Sequence, residues 1–214
     1  MIKKDKDKLI LDTLDIMFPD AKGELNHKND FELLIAVVLS AQTTDKAVNN
    51  ITPLLFSKYP DAFALSEANE DDVMMIINRI GLYKVKSKNI IKLSKLLVEK
   101  HRGIVPNNRE SLEALPGVGR KTANVVMSIA FNIPAIAVDT HVERVSKRLG
   151  LANKSDNVLE VEKKLMKRFP ENRWTKLHHQ LIFFGRYHCT AKKPKCNECA
   201  LKDICIFYKE FKKN

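Results

Sequence analysis

Apolar residues recur along this chain at helical spacing. Leu11, Leu14 and Phe18 fall at i, i+3, i+7, as do Ile90, Leu93 and Leu97, and again Val158, Val161 and Leu165; Leu177, Leu181 and Phe184 fall at i, i+4, i+7. At 3.6 residues per turn each set lines one face of a helix. Sustained period-two alternation is nearly absent, and the one extended-looking stretch, Ala135-Ile136-Ala137-Val138, is too short and isolated to build a sheet. The pattern therefore predicts an all-α fold. Short polar breaks carrying Pro, Gly or Asn separate the helical stretches at Asp20–Asn29, Tyr59–Asp61, Gly103–Asn108, Leu115–Gly119, Asn132–Pro134, Leu149–Asp156 and Phe169–Arg173. One weak internal echo exists: Ile80-Gly81-Leu82-Tyr83 precedes a basic amphipathic stretch much as Leu115-Pro116-Gly117-Val118-Gly119 precedes another.

Length and composition narrow the class. With 214 residues and 44% hydrophobic content, the chain can build one large domain or two small ones. The longest purely apolar run, Leu33 to Leu39, is far too short to span a bilayer, and no apolar segment follows the basic residues at the N-terminus. A cytoplasmic monomer with no membrane partner and no targeting signal is expected. Net charge changes the picture further. An excess of 37 Lys and Arg over 26 Asp and Glu gives +11. Such a surface attracts polyanions, because each neutralised phosphate releases condensed counterions. Nucleic acid is the obvious polyanion, although a membrane-surface protein or a merely soluble basic one has the same balance.

All four cysteines, Cys189, Cys196, Cys199 and Cys205, lie in one C-terminal stretch with spacing C-x6-C-x2-C-x5-C. Two disulfides fit a small secreted domain better than a chain with every Cys in one corner, so a metal centre is the better reading. Structural zinc usually shows two C-x2-C pairs, and here there is one; an iron–sulfur cluster tolerates wider spacing, but spacing alone separates the two only modestly. Lys192, Lys193 and Lys195 lie between the first two cysteines. Pinned by a metal centre, that loop is a phosphate-contacting tongue; otherwise it is a solvated basic face.

In Leu115-Pro116-Gly117-Val118-Gly119-Arg120-Lys121, two glycines allow a tight turn between a helix near Glu110–Ala114 and one from about Arg120 to Phe131. Amides of the turn and of the following helix start then converge on a spot suited to a phosphate oxygen. Lys121 sits in the first turn of the second helix, beside Arg120. A cation there faces the positive end of the helix dipole, a poor choice for stability but one that favours the neutral, nucleophilic amine. Asp139, in Val138-Asp139-Thr140-His141-Val142-Glu143, either caps the next helix or lies just outside a capping box made by Thr140 and Glu143. In both cases the carboxylate sits at a helix entrance, where it can stay ionised, and an ionised carboxylate can stabilise an oxocarbenium-like sugar and help move protons. His141 reads as structural.

These features coincide with others. Leu115–Val126 (LPGVGRKTANVV), Ala137–Val145 (AVDTHVERV), the cysteine tail, Leu39–Asp45 (LSAQTTD) and Gly81-Leu82-Tyr83 together resemble the endonuclease III family of helix-hairpin-helix DNA glycosylases, from about residue 9 to about residue 208. The resemblance implies two helical domains flanking an active-site cleft: a six-helix barrel with the helix-hairpin-helix over 22–134, and a cluster domain built from 1–21 and 135–214. It implies a [4Fe–4S] cofactor on the four cysteines, Lys121 as nucleophile and Asp139 as catalytic carboxylate. It further implies DNA contacts at Pro116, Gly117, Val118 and Gly119, Gln42 filling the gap left by an extruded nucleotide, and Leu82 wedging the opposite strand. The implied partner is double-stranded DNA with damaged pyrimidines or abasic sites. Without the resemblance, Gln42 reads as a helix-end polar residue and Leu82 as core.

Two rivals remain at this stage. An adenine-mismatch glycosylase of the same superfamily lacks the nucleophilic lysine and carries a further C-terminal domain; Lys121 and the end of the sequence at Asn214 count against it. A non-catalytic iron–sulfur DNA-binding module leaves the pairing of Lys121 with Asp139 unexplained.

Overall fold

The computed structural model describes residues 3–211. Among them every regular element is helical: α1 (Lys3–Met17), α2 (Asp30–Leu39), α3 (Asp45–Lys58), α4 (Ala62–Ser66), α5 (Glu70–Ile77), α6 (Tyr83–His101), α7 (Arg109–Glu113), α8 (Arg120–Ala130), α9 (Thr140–Leu149), α10 (Val158–Arg168), α11 (Trp174–Phe183) and α12 (Ile206–Phe211), with short 3-10 turns and one π turn, Phe184–His188. The helices divide into two units, Glu24–Ile133 and the chain up to Gly23 joined with the chain from Pro134.

In the Glu24–Ile133 unit, α2 is buried from Phe31 to Leu39. That burial explains the uninterrupted apolar run, since a helix surrounded by others has no face to leave polar. Around it pack α3, α6 and α8, and α6 also packs against α4 and α5. Ile90, Leu93 and Leu97 of α6 face this core as their spacing predicts, and the core extends to Leu112, Leu115 and Val118 at the turn before α8. Arg109 of α7 donates to the buried amide oxygen of Asn124 on α8, which ties the two helices of that hairpin together.

The other unit packs α1 and α9–α12 around Ile10, Leu14, Val142, Val145, Val161, Leu165, Leu177, Leu181 and Phe184. Ala135–Val138 is buried and belongs to no helix, with no strand to pair with among the described residues. Asp15 docks α1 onto α11: its carboxylate accepts from Gln180 Nε2 and Arg173 Nη2 at 2.9 Å each and lies 3.0 Å from Lys176 Nζ. Burial works against its charge, but these three donors outweigh it and hold the carboxyl down at about 2. Three details depart from the spacing-based reading. Phe18 lies one residue past α1, Val158 at the head of α10 is 45% exposed, and Phe184 begins the π turn.

Candidate functional site

Helix starts sort the Glu24–Ile133 unit into two kinds. Side chains cap α2 through Asn29, α3 through Thr44, α4 through Asp61, α5 through Asn69 and α7 through Asn108, each accepting from a first-turn amide. No side chain caps α6, which follows Leu82, or α8, which follows Gly119. A side-chain cap contributes about 1 kcal/mol. The two starts left without one keep the positive end of the helix dipole toward an incoming anion. They are also the two places where the family resemblance implies a wedge and where the sequence suggests a phosphate-binding hairpin.

At the hairpin the two glycines answer different demands. Gly117 has φ +80°, and a Cβ there would lie 3.1 Å from Val38 Cγ1 and 3.2 Å from Asn89 Nδ2. Gly119 has φ −100°, and a Cβ there would meet nothing within 4 Å. The turn itself therefore requires Gly117, whereas nothing within the fold requires a glycine at 119. Val118 corrects the sequence reading in part. Its side chain is 6% exposed, within the core, and its N–H is spent on Leu115 O at 3.1 Å, so neither group is presented outward. Pro116 is half-buried, and Lys121 is exposed in the first turn of α8.

Gln42 and Leu82 share an unusual backbone. Both are non-glycine residues in the left-handed region, at φ 54° and 61°, and both are exposed. Such conformations cost of order 1–3 kcal/mol each and persist where the surroundings enforce them. Leu82 is 55% exposed rather than part of the core, as its bare sequence context implies. The two loops meet, since a Cβ on Gly81 would stand 3.8 Å from Gln42 O. Lys86, one turn into α6 and only 4% exposed, donates its Nζ to Thr43 Oγ1 at 2.7 Å and so fastens one loop to the other. Burial pushes its pKa down.

In the other unit, Asp139 is the N-cap of α9. Its Oδ1 accepts from His141 N at 2.9 Å and Val142 N at 2.8 Å. The alternative, Thr140 as cap with Glu143 in a capping box, is not adopted; Glu143 instead pairs with Lys147 at 2.6 Å. His141 Nδ1 lies 3.2 Å from Arg144 Nη2. Because a guanidinium only donates, that nitrogen accepts. Burial first, with the charges of Arg144 and Arg186, pushes the His141 pKa down despite Asp139 nearby. A neutral, held imidazole agrees with the structural role read from the sequence.

The four cysteines are free thiols, and Cys189, Cys196, Cys199 and Cys205 line one cavity. The walls include Leu149, Phe184, Pro194 and Phe207. Burial pushes the thiols of Cys196, Cys199 and Cys205 up, so ionising them takes a strong Lewis acid. Four cysteines lining one space form a donor set that fits an iron–sulfur cluster. Two arginines of α9 hold the loop that begins at Cys189. Arg144 Nη2 donates to Gly185 O at 2.9 Å and Cys189 O at 3.3 Å. Arg148 donates to Thr190 O at 2.7 Å and Ala191 O at 3.0 Å, with Nη1 3.4 Å from Cys189 Sγ. Lys192, Lys193 and Lys195 are exposed on that loop. Sequence reasoning assigned no part to Arg144, Arg148, Lys86 or Thr43. The i, i+4 spacing of the two arginines was the available signal; Lys86 and Thr43, 43 residues apart, gave none.

Comparison with known proteins fits this geometry. Residues 35–171 match the model of the HhH-GPD superfamily base excision DNA repair protein, and residues 189–205 match the iron–sulfur binding domain of endonuclease III. The fold and these matches define a base-excision DNA repair protein of the helix-hairpin-helix class. Endonuclease III of Bacillus subtilis is 56% identical over 200 residues, 91% of this chain and 89% of that protein. Endonuclease III of Escherichia coli K12 is 50% identical over 192 residues, 90% of each chain. The chain belongs to the endonuclease III family. Among solved structures, a trapped endonuclease III–DNA covalent intermediate superposes with a TM-score of 0.94 at 53% identity, covering 99% of this chain and 100% of that one. A non-covalent endonuclease III–DNA complex gives 0.95 at 52%, covering 100% of both. Among the described residues no helix is long and apolar enough to cross a membrane.

Proposed function

We propose that this chain is a bifunctional DNA glycosylase and abasic-site lyase that removes oxidised pyrimidines from duplex DNA in base-excision repair, at the nucleoid. The observation that carries this reading is Lys121: an exposed amine in the first turn of an uncapped helix, directly after the bare backbone of Gly119. A protein 53% identical to this chain has been trapped as a covalent intermediate with DNA, which supports an amine nucleophile here.

The target base lies in the stack, so it must be flipped out at a cost of a few kcal/mol, less for a damaged base that pairs poorly. Gln42 enters the gap and Leu82 props the opposite strand. Their loops are fastened by Lys86 and Thr43, so the two insertions act as one rigid unit. The uncapped start of α8 and the Pro116–Gly119 turn hold a backbone phosphate. The Lys121 amine attacks C1′ of the sugar, and the base departs with the bonding pair. Ring opening gives a Schiff base between Nζ and C1′; loss of a proton from C2′ then expels the 3′ phosphate, nicking the strand on the 3′ side of the lesion. Asp139, whose carboxylate accepts from two amides of α9, stabilises the positive charge on the sugar and relays protons. When bound to Cys189, Cys196, Cys199 and Cys205, the [4Fe–4S] cluster supplies iron–thiolate bonds that fix the 189–205 segment. Lys192, Lys193 and Lys195 then meet phosphates from a fixed loop.

The test uses end-labelled duplexes carrying an oxidised pyrimidine, an abasic site, or adenine opposite an oxidised guanine. The first two must be nicked to the β-elimination product and the third left intact. Release of adenine without nicking would support the adenine-mismatch reading instead, and binding without any product would support a non-catalytic module.

A further inference from the structure

Beside the four cysteines, the polar residues His188, Lys195, Lys202 and Tyr208 line the same cavity. His188 lines it, is 9% exposed, and its Nε2 is buried with no hydrogen-bond partner. Leaving a buried imidazole nitrogen unmatched costs about 1–3 kcal/mol. The ring has little freedom to seek water. Its face stacks on Phe184 with centroids 5.0 Å apart at 33°. Its backbone is fixed on both sides: the π turn ends with Cys189 N donating to Phe184 O at 2.7 Å, and Lys195 N donates to His188 O at 3.1 Å. Single π turns inside helices concentrate at functional positions, and this one delivers His188 and the first cysteine together.

Of the other lining residues, Leu149, Phe184, Pro194 and Phe207 present carbon that accepts no hydrogen bond, Lys195 and Lys202 carry ammonium groups that only donate, and Tyr208 carries a hydroxyl with which Nε2 makes no bond. The strong acceptors that this space is built to hold are the sulfurs of a thiolate-ligated cluster. From this geometry we infer that His188 donates its Nε2–H to a sulfur of the iron–sulfur cluster and sets the cluster's reduction potential. The inference rests on the reading that the four cysteines hold the cluster. A hydrogen bond to sulfur stabilises the more negative charge state, so it raises the potential. Arg148 Nη1, 3.4 Å from Cys189 Sγ, acts in the same sense. His188 is thus a positioning and tuning residue that takes no part in the sugar chemistry.

The test compares wild type, His188→Phe and His188→Gln, purified anaerobically as holoenzyme with iron and sulfide quantified. Potentials are measured by spectroelectrochemical titration, and iron–sulfur stretching modes by resonance Raman in water and in heavy water. His188→Phe should show a more negative potential and lose part of the heavy-water shift. His188→Gln, which keeps a donor, should lie between it and wild type. Equal potentials and equal isotope shifts in all three iron-loaded proteins overturn the inference alone. A wild type without iron overturns the four-cysteine reading, and the inference with it. If His188→Phe fails to load iron, pulsed EPR of the oxidised cluster in protein labelled with 15N-histidine decides: a nitrogen coupling present in wild type and missing in His188→Gln supports the bond, and its absence from wild type refutes it.

Discussion

At the residue scale the clearest contrast is between two glycines two positions apart. Gly117 is held by its own fold, with φ +80° and neighbours at 3.1 and 3.2 Å from a would-be Cβ. Gly117→Ala should cost about 1–3 kcal/mol of stability through strain. Gly119 is held by nothing internal and occupies the N-cap of α8. Gly119→Ser should therefore cap the helix and raise the melting temperature slightly, by a few tenths of a kcal/mol. By occupying the first-turn amides it should weaken binding to an abasic-analogue duplex about tenfold, ~1.4 kcal/mol. Thermal melts beside fluorescence anisotropy read both effects, and a Ser variant that binds as tightly as wild type removes the phosphate from this helix start. Asp139→Asn separates capping from chemistry. Asn caps about as well as Asp, so the melting temperature should hold while turnover falls by roughly 100-fold or more. The two glycines, Lys121 and Asp139 were all legible from the sequence because each sits inside a contiguous motif. The division of labour between the glycines was not, since it depends on Val38 and Asn89, far away in the chain.

At the element scale the sequence announces helices well and their exceptions poorly. Asn29, Thr44, Asp61, Asn69 and Asn108 are ordinary cap residues and mark their helices plainly. The left-handed turn into α6 is invisible beforehand because leucine disfavours that conformation, and the Lys86 bond that ties this helix start to the Gln42–Thr43 loop joins residues 43 positions apart. Lys86→Met keeps the aliphatic stem but removes the bond to Thr43. It should lower kcat/KM on damaged duplex several-fold with little change in melting temperature, and 2-aminopurine placed opposite the lesion should report weaker unstacking. Unchanged fluorescence on binding would show that the loops do not act together. A pH effect belongs to α11. Burial of His179 pushes its pKa from 6.5 down to about 4. Between those values the unfolded chain binds a proton that the folded chain does not, so stability falls as pH drops from about 6.5 to about 4 and levels off below. The loss should be of order 3 kcal/mol. Urea midpoints across that range should track it, and a His179→Gln profile as steep as that of wild type would place the titration elsewhere.

At the scale of the whole molecule, the joining of the chain's beginning to its end in one unit was not written in hydropathy. Periodicity gives faces, not partners, and the Asp15 contacts with Arg173, Lys176 and Gln180 span more than 150 residues. That organisation entered only through family resemblance. Net charge was directly legible and makes a global prediction: the logarithm of affinity for abasic-analogue duplex should fall linearly with the logarithm of salt, at about −0.9 per phosphate neutralised. Replacing Lys192, Lys193 and Lys195 with Ala should flatten that slope, and an unchanged slope would make the loop a solvated face only.

Everything in the proposed chemistry turns on one covalent bond, between Lys121 Nζ and C1′ of the damaged nucleotide. Borohydride reduction of the enzyme mixed with abasic duplex captures that bond as a stable adduct, resolved by denaturing electrophoresis. The wild type should be trapped. Lys121→Gln should give no adduct, no base release and no nick, while binding the abasic analogue nearly as tightly as wild type, because the hairpin backbone and the basic loop are untouched. Trapping of Lys121→Gln at the wild-type rate would mean that another amine is the nucleophile, and the assignment of Lys121 would be wrong.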